Sequence, residues 1–160
     1  LGSNNTIGTD RYPQDMLNEM RFASMLGKLH EHDFRAASAR SVVNAATING
    51  AKALGRDDIG RLEAGTKADL VVVDMARFGF GPMLDPVKSL VHIGSAADVE
   101  HVVVDGIVRV EDRRLTAVDD RALLDEVRAN AAKVYGNFQK YDSLGRTVTE
   151  FAPPAFDDWA

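Results

Sequence analysis

In this chain of 160 residues, the periodicity of the apolar residues changes from helical to strand-like at Gly55. Before Gly55 the apolar side chains recur every three or four residues, which is the spacing of a helix that buries one face. After Gly55 the chain carries runs of β-branched residues, which are typical of strands. The sequence therefore predicts two structural layers that meet near Gly55: an early α/β part and an antiparallel β part in the middle of the chain.

Three segments have the spacing of amphipathic helices. The first covers residues 16–29 and the second covers residues 38–54, where Ser38 or Ser41 can accept a hydrogen bond from a free N–H of the first turn. The third covers residues 119–135, and the two aspartates at its start complement the helix dipole.

Extended segments are predicted on both sides of Gly55, at residues 6–9, 59–64, 68–74 and 89–93. The segment at 68–74 contains a continuous apolar run, which indicates a strand that is buried on both faces. Residues 99–110 predict a hairpin, because Asp105-Gly106 lies between two apolar runs and both residues tolerate a positive φ. Residues 143–160 predict a tail without periodic structure.

The composition excludes several classes of function. A formal net charge of -5 argues against a nucleic-acid-binding protein, whose footprint is a basic patch. The absence of cysteine excludes a thiolate nucleophile and a cysteine-ligated zinc site. No stretch approaches the ~18 consecutive apolar residues of a membrane span, and we expect a cytoplasmic protein without a membrane partner. Because the chain begins at Leu1 without a methionine or a signal peptide, we expect a processed product or a piece of a longer protein.

Asp10 is the first candidate for chemistry. It follows the predicted strand at residues 6–9 and precedes a loop and a helix, which is where α/β barrels place catalytic groups. A carboxylate at this position could hold a divalent cation and accept a proton from metal-bound water. The alternative interpretation is that Asp10 only caps a turn.

The four histidines give weaker signals. His30 and His32 resemble the His-x-His pair of zinc hydrolases, but alternate residues share a face only in an extended strand. These two follow a predicted helix and have charged neighbours, which favours a solvent-exposed loop. His92 and His101 lie in predicted strands without a second ligand nearby in the sequence, so we expect them to be structural.

Three segments together carry a family resemblance. Residues 44–55, 59–74 and 98–106 resemble, in order and spacing, the C-terminal signature of the metal-dependent amidohydrolase superfamily. Upstream, Gly8-Thr9-Asp10 is similar to the eighth barrel strand of that family. The similarity extends from Gly8 to about Leu115. It is closest to the branch of cytosine deaminase-like, chlorohydrolase-like and adenosine-derivative deaminase-like enzymes.

The resemblance implies a fold of class α/β, a (β/α)₈ TIM barrel with a small antiparallel β-sandwich built from both chain ends. A complete barrel needs ~250 residues, so this chain would form only its terminal portion. Residues 1–56 would supply the last strand and outer helices, and residues 57–117 a β-sandwich segment. Residues 118–142 would form a C-terminal helix, followed by the tail at 143–160.

The resemblance also implies a reaction. Metal-activated water would attack a ring carbon that carries an amino or halide group, so the expected activity is deamination or dechlorination of a nitrogen heterocycle. The metal is expected to be zinc, with iron as the alternative. Asp10 would be a metal ligand and a catalytic proton shuttle, and Tyr12 and Gln14 would line the substrate pocket.

The other metal ligands of the family have no counterpart in this chain. The expected partners are therefore the N-terminal part of the same protein, a small-molecule substrate and, for the exposed barrel-facing surfaces, a second copy of the chain. The alternative hypothesis is a non-catalytic structural or interaction domain.

Overall fold

The computed structural model describes residues 15–156. It divides the chain into two compact units, Leu1–Thr116 and Ala117–Ala160, and each unit is described by itself. The predicted strand end at residues 6–9 lies outside the described residues.

The described part of the larger unit begins with three helices: α1 (Met16–Glu31), α2 (Ala39–Ala46) and α3 (Ile48–Ala53). The predicted helix at residues 16–29 is confirmed. Its face contacts α2, where Met20, Ala39 and Val42 are buried in one cluster. The fully buried Ser24 is satisfied because its Oγ donates to Ala37 O at 2.8 Å.

The single helix predicted for residues 38–54 is wrong, because Thr47 interrupts it. Thr47 has φ -122° and ψ -95°, outside the helical region, and its Oγ1 donates to Val43 O at 2.7 Å. A Thr hydroxyl bonded to the carbonyl four residues earlier favours a bend in a helix. The predicted N-cap is confirmed, since Ser38 Oγ accepts a hydrogen bond from Ser41 N at 3.3 Å.

The strands form one antiparallel sheet in sequence order: β1 (Leu70–Val73), β2 (Val99–Val104), β3 (Ile107–Glu111) and β4 (Arg114–Leu115). The predicted hairpin is confirmed by β2 and β3, which the Asp105-Gly106 turn joins. The predicted burial of β1 on both faces is wrong. β1 is one of the two edge strands of the described sheet, and Val71 and Val72 are 56% and 41% exposed.

Two further strand predictions are wrong. Residues 89–93 belong to α4 (Pro86–Ile93), which begins where Asp85 Oδ1 accepts hydrogen bonds from Val87 N and Lys88 N. Proline at the first helical position and an aspartate N-cap explain this start. Residues 59–64 contain no strand in the described structure, and positive φ angles at Gly60 and Gly65 turn the chain instead.

The smaller unit contains α5 (Asp120–Gly136), α6 (Phe138–Tyr141) and α7 (Val148–Phe151). The predicted third helix is confirmed by α5, with Asp119 as its N-cap. The prediction of a tail without periodic structure is wrong. α7 begins at a capping box in which Thr147 and Glu150 each bond to the backbone N–H of the other.

Arg146, in the segment between α6 and α7, makes an ion pair with Asp142 and a cation–π contact with Phe151 of α7. Arg146 donates to both carboxylate oxygens of Asp142, at 2.9 and 3.1 Å, and its guanidinium lies 5.0 Å from the ring centre of Phe151. The hydrogen bonds from Arg146 lower the pKa of Asp142.

Among residues 15–156, no helix combines the length and apolar character that crossing a bilayer requires.

Gly60 and Gly65 provide a matched test of the contact between residues 59–64 and α3. Their φ angles are +83° and +90°, so alanine at either position carries a left-handed strain of about 1–2 kcal/mol. A Cβ on Gly60 would lie 3.0 Å from both Ala51 Cβ and Thr47 O, whereas Gly65 has open space. We expect Gly60→Ala to lower the free energy of unfolding by about 1–3 kcal/mol more than Gly65→Ala. Urea denaturation measures the difference, and equal losses would contradict the close contact.

Candidate active site

The three residues predicted to bind metal and substrate, Asp10, Tyr12 and Gln14, lie outside the described residues. The described structure begins at Asp15, one residue before α1. The start of α1 is the described part of the chain that is nearest in sequence to these three residues.

The carboxylate of Asp15 caps α1 and also bonds to a distant part of the chain. Its Oδ1 accepts hydrogen bonds from Leu17 N at 3.0 Å and Asn18 N at 3.2 Å, which satisfies two free N–H groups of the first turn. Its Oδ2 accepts a hydrogen bond from Ala96 N at 3.2 Å, 81 residues further along the chain. The start of α1 is thus attached to the turn that precedes β2.

That turn, residues 94–98, is organised around the carboxylate of Asp98, which is only 4% exposed. Asp98 Oδ2 accepts hydrogen bonds from Ser95 N at 2.8 Å, Ser95 Oγ at 2.9 Å and Arg77 Nη2 at 2.7 Å. Arg77 Nε pairs with Oδ1. Burial raises the pKa of Asp98, but the bonds from Arg77 and Ser95 outweigh burial, and the pKa lies below its ordinary value. Asp98 is therefore a fixed negative charge rather than a proton donor.

A second hydrogen bond joins α1 to the same turn. Arg21 Nη2 donates to Gly94 O, so both of the first two turns of α1 are attached to residues 94–98. Within residues 15–156, Arg21 Nε is buried without a hydrogen-bond acceptor. The guanidinium of Arg21 thus fixes the helix and retains one unused donor.

A cleft of about 810 Å³ lies between α3, residues 59–62 and β1, and Met16 forms part of its wall. Its two charged lining residues are already engaged. Arg61 Nε donates to a neighbouring glutamate at 2.7 Å, and Asp69 Oδ1 accepts a hydrogen bond from Asp105 N at 2.6 Å. The lining offers mainly apolar surface, so the cleft is suited to packing rather than to acid–base chemistry.

His30 and His32 lie at the opposite end of α1 from Asp15. His30 is in the last turn, His32 is the C-cap, and both are exposed. A helix of 16 residues spans about 24 Å. In the described part of the chain, neither histidine belongs to a cluster of metal-ligating side chains. The exposed position is as predicted, but the two residues end a helix instead of lying in a loop.

The sequence analysis missed one cluster of potential metal ligands, formed by Glu100, His101 and Asp112. Asp112 N donates to His101 Nδ1 at 3.4 Å, so the neutral ring carries its proton on Nε2, 3.9 Å from Asp112 Oδ1. Binding a metal through Nε2 would require the other tautomer and would break this hydrogen bond. The predicted hairpin contained a signal for this cluster. Once Val102 of β2 pairs with Val110 of β3, the neighbouring residues of the cluster on the two strands lie close together.

His92 is on α4 and not in a strand. Desolvation and the positive charges of Lys28, Arg21 and Lys88 lower the pKa of His92. The imidazole is therefore neutral at pH 7. Three nearby cations make this position unfavourable for binding a further cation.

Comparison with known proteins gives a consistent result. Residues 1–108 match the model of the amidohydrolase family. The chain is 42% identical over 132 residues to a 5-methylthioadenosine/S-adenosylhomocysteine deaminase of Natronomonas pharaonis, covering 80% of this chain and 30% of that protein. It is 35% identical over 137 residues to a 5'-deoxyadenosine deaminase of Methanosarcina mazei, covering 83% and 32%. The chain thus spans about 30% of the length of these curated relatives.

Solved structures agree. An adenosine deaminase from Xanthomonas campestris with bound zinc superposes with a TM-score of 0.72 and 32% identity, covering 74% of this chain and 27% of that one. An atrazine chlorohydrolase from Arthrobacter aurescens complexed with zinc gives a TM-score of 0.65 and 27% identity, covering 71% and 25%.

The buried carboxylate of Asp98 predicts a specific pH dependence. Because its pKa is depressed in the folded protein, its stabilisation is present at neutral pH and is lost as the pH falls below the ordinary value of 3.8 toward the folded one. We expect Asp98→Asn to lower the free energy of unfolding at pH 7 by about 1–3 kcal/mol, and by less at pH 3. Urea denaturation at both pH values measures this, with Asp85→Asn as the control because asparagine caps a helix as well as aspartate does. A loss independent of pH would argue against the charged bonds.

Proposed function

Because the chain belongs to the amidohydrolase family, we propose that it is the C-terminal part of a metal-dependent hydrolase that removes an amino group from a nitrogen heterocycle. The observation that carries this proposal is the family match over residues 1–108, together with relatives named as deaminases of adenosine derivatives. The proposed substrates are therefore nucleosides with a 6-aminopurine ring. Displacement of chloride from a triazine is the second candidate, favoured by the similarity to a chlorohydrolase.

The proposed architecture places residues 1–56 in the last strand and outer helices of a (β/α)₈ barrel and residues 57–117 in a β-sandwich. Residues 118–142 would follow as a helical segment and residues 143–160 as the chain end. The helical layer of α1 to α3 and the antiparallel sheet of β1 to β4 support this division.

The proposed metal is zinc, as the zinc-bound neighbours suggest. In residues 15–156, the one set of grouped ligands includes His101, whose ring is already engaged with Asp112, so the described residues do not fit a resident metal. Asp10 fits by its chemistry, because aspartate oxygens are zinc ligands, and the other ligands would come from outside the described residues. A bound zinc lowers the pKa of a coordinated water and so supplies a nucleophile near neutral pH.

In the proposed reaction the oxygen of water bonds to the amino-bearing ring carbon and the C–N bond breaks. One proton of the water ends on the departing ammonia and the other on the adjacent ring nitrogen, which balances the exchange of an amino group for a carbonyl. Asp10 would accept a proton at its carboxylate oxygen and pass it on. Tyr12 and Gln14 would contact the ring and hold it in place.

The test uses the full-length protein that contains this chain. We expect ammonia release from adenosine derivatives, and we expect Asp10→Ala to lower kcat by about 10²–10⁴-fold, the contribution typical of a positioned acid–base group. Asp57→Ala is the control, since Asp57 is an exposed carboxylate of the same unit, and it should leave kcat unchanged.

Three outcomes separate the hypotheses. Chloride release from a triazine without ammonia release would favour the second candidate. Full activity of Asp10→Ala would remove Asp10 from the reaction. A full-length protein without bound metal and without turnover of either substrate class would favour a non-catalytic domain.

A further inference from the structure

We propose that α5 is a self-association surface, against which a second copy of the protein packs its own α5 in the antiparallel direction. The juxtaposition that carries this inference is an exposed apolar stripe on a helix whose two halves have opposite net charge. The inference concerns assembly, goes beyond the proposed reaction and does not depend on it. The stripe consists of Leu123, Leu124, Val127, Ala131 and Val134.

The apolar stripe lies on one face of α5, because its residues recur with the spacing of a helix. None of the side chains of α5 is buried, and Val127 and Val134 are 54% and 63% exposed. A helix in a folded protein gains most of its stability by packing such a face on another surface. The described residues of the smaller unit do not cover the stripe, so it is available to a partner.

The charges of α5 select a second copy as that partner. Residues 119–126 contain four carboxylates and one arginine, a net charge of -3, whereas residues 127–136 contain one arginine and one lysine, a net charge of +2. A symmetric dimer uses the same surface on both subunits, so this surface must be complementary to itself. Two antiparallel α5 helices meet this condition, because the acidic half of each lies against the basic half of the other. A parallel pair would bring like charges together.

One antiparallel register satisfies the apolar stripe. When Val127 lies opposite Ala131 of the second copy, Leu124 lies opposite Val134. Each of these contacts occurs twice, because a two-fold axis relates the helices. The two stripes then cover each other along most of α5.

The same register also pairs the charges beside the stripe. Glu126 and Lys133 directly precede the two valines of the stripe and are seven residues apart, so both lie on the same side of it. In the described part of the chain, neither side chain makes an ion pair of its own. In the antiparallel dimer Glu126 lies next to Lys133 of the second copy. Arg128, near the two-fold axis, is neutralised by Asp125 of its own helix at 3.5 Å.

Two variants of the full-length protein that contains this chain separate the stripe from the helix itself. Val127→Asp puts a carboxylate into the stripe, whereas Ala132→Asp puts one on an exposed position of another face of α5. We expect a wild-type dimer at micromolar concentration, a dissociation constant raised about 100-fold or more by Val127→Asp, and a change below about threefold for Ala132→Asp, because only the first variant buries an unpaired charge. Sedimentation velocity over a concentration series measures the constant, and circular dichroism checks that both variants keep their helix.

The charge variants Glu126→Lys and Lys133→Glu test the antiparallel direction without changing the stripe. Either one replaces two attractive contacts of the dimer with two repulsive ones, so we expect the dissociation constant to rise about 3–30-fold. The double variant exchanges the positions of the opposite charges and should return the constant to within about threefold of the wild-type value. A parallel pair predicts no such recovery, because Glu126 and Lys133 would then lie about 10 Å apart along the helix axes.

Each outcome supports or overturns the inference. A full-length protein that stays monomeric throughout the concentration series would overturn it and indicate that the remainder of the protein covers the stripe. A dimer that Val127→Asp leaves intact would assign the interface to another surface. If Val127→Asp does not fold, the charge variants decide, and weakening by both without recovery in the double variant would refute the antiparallel pairing. These measurements do not use turnover, so their failure and the failure of the proposed deamination are distinguishable.

Discussion

The buried carboxylate of Asp98 determines how the two layers of the larger unit are joined. A buried charge is tolerated only when it is paired and hydrogen-bonded, and Asp98 meets this condition through Ser95 and Arg77. Its carbonyl bonds to Asp74, directly after β1, and β2 begins at the next residue. Asp98 therefore fixes both the end of β1 and the start of β2, through its side chain and its backbone carbonyl.

The helical layer is attached to the turn that contains Asp98 by hydrogen bonds from α1. Asp15 bonds to Ala96 and Arg21 to Gly94, so α1 contacts the turn twice near its start. On its other side, α1 packs on α2, and α4 closes the cluster with the fully buried Val91. The start of α1, at Asp15, is thus held at the turn that precedes β2.

Local signals made much of this fold predictable. The Asp105-Gly106 hairpin, α1 and α5 depend on turn chemistry, caps and periodicity within one segment, and all three were predicted. The family was also recognisable, because its segments occur in order from Gly8 onward, and the match over residues 1–108 confirms it. The roles of Asp10, Tyr12 and Gln14 stay predictions.

The errors have different physical causes. α4 has β-branched residues that favour a strand, but Asp85 and Pro86 start a helix and burial of Val91 stabilises it. The break at Thr47 accompanies a hydrogen bond from its own hydroxyl to Val43 O, which the spacing of apolar residues does not reveal. The bonds of Asp98 to Arg77 and of Asp15 to Ala96 join residues 21 and 81 positions apart. Periodicity within a segment carries no information about pairs at such separations.

Several ionisable side chains of the described residues are engaged by neighbours of the same chain. The carboxylates of Asp98, Asp142 and Asp15 accept hydrogen bonds from donors of the same chain. His92 is kept neutral among cations, and the ring of His101 is engaged with Asp112. Each such hydrogen bond uses a lone pair or an N–H that proton exchange or metal binding would need. These groups therefore stabilise the fold, and the carboxylate that we propose for the chemistry is that of Asp10.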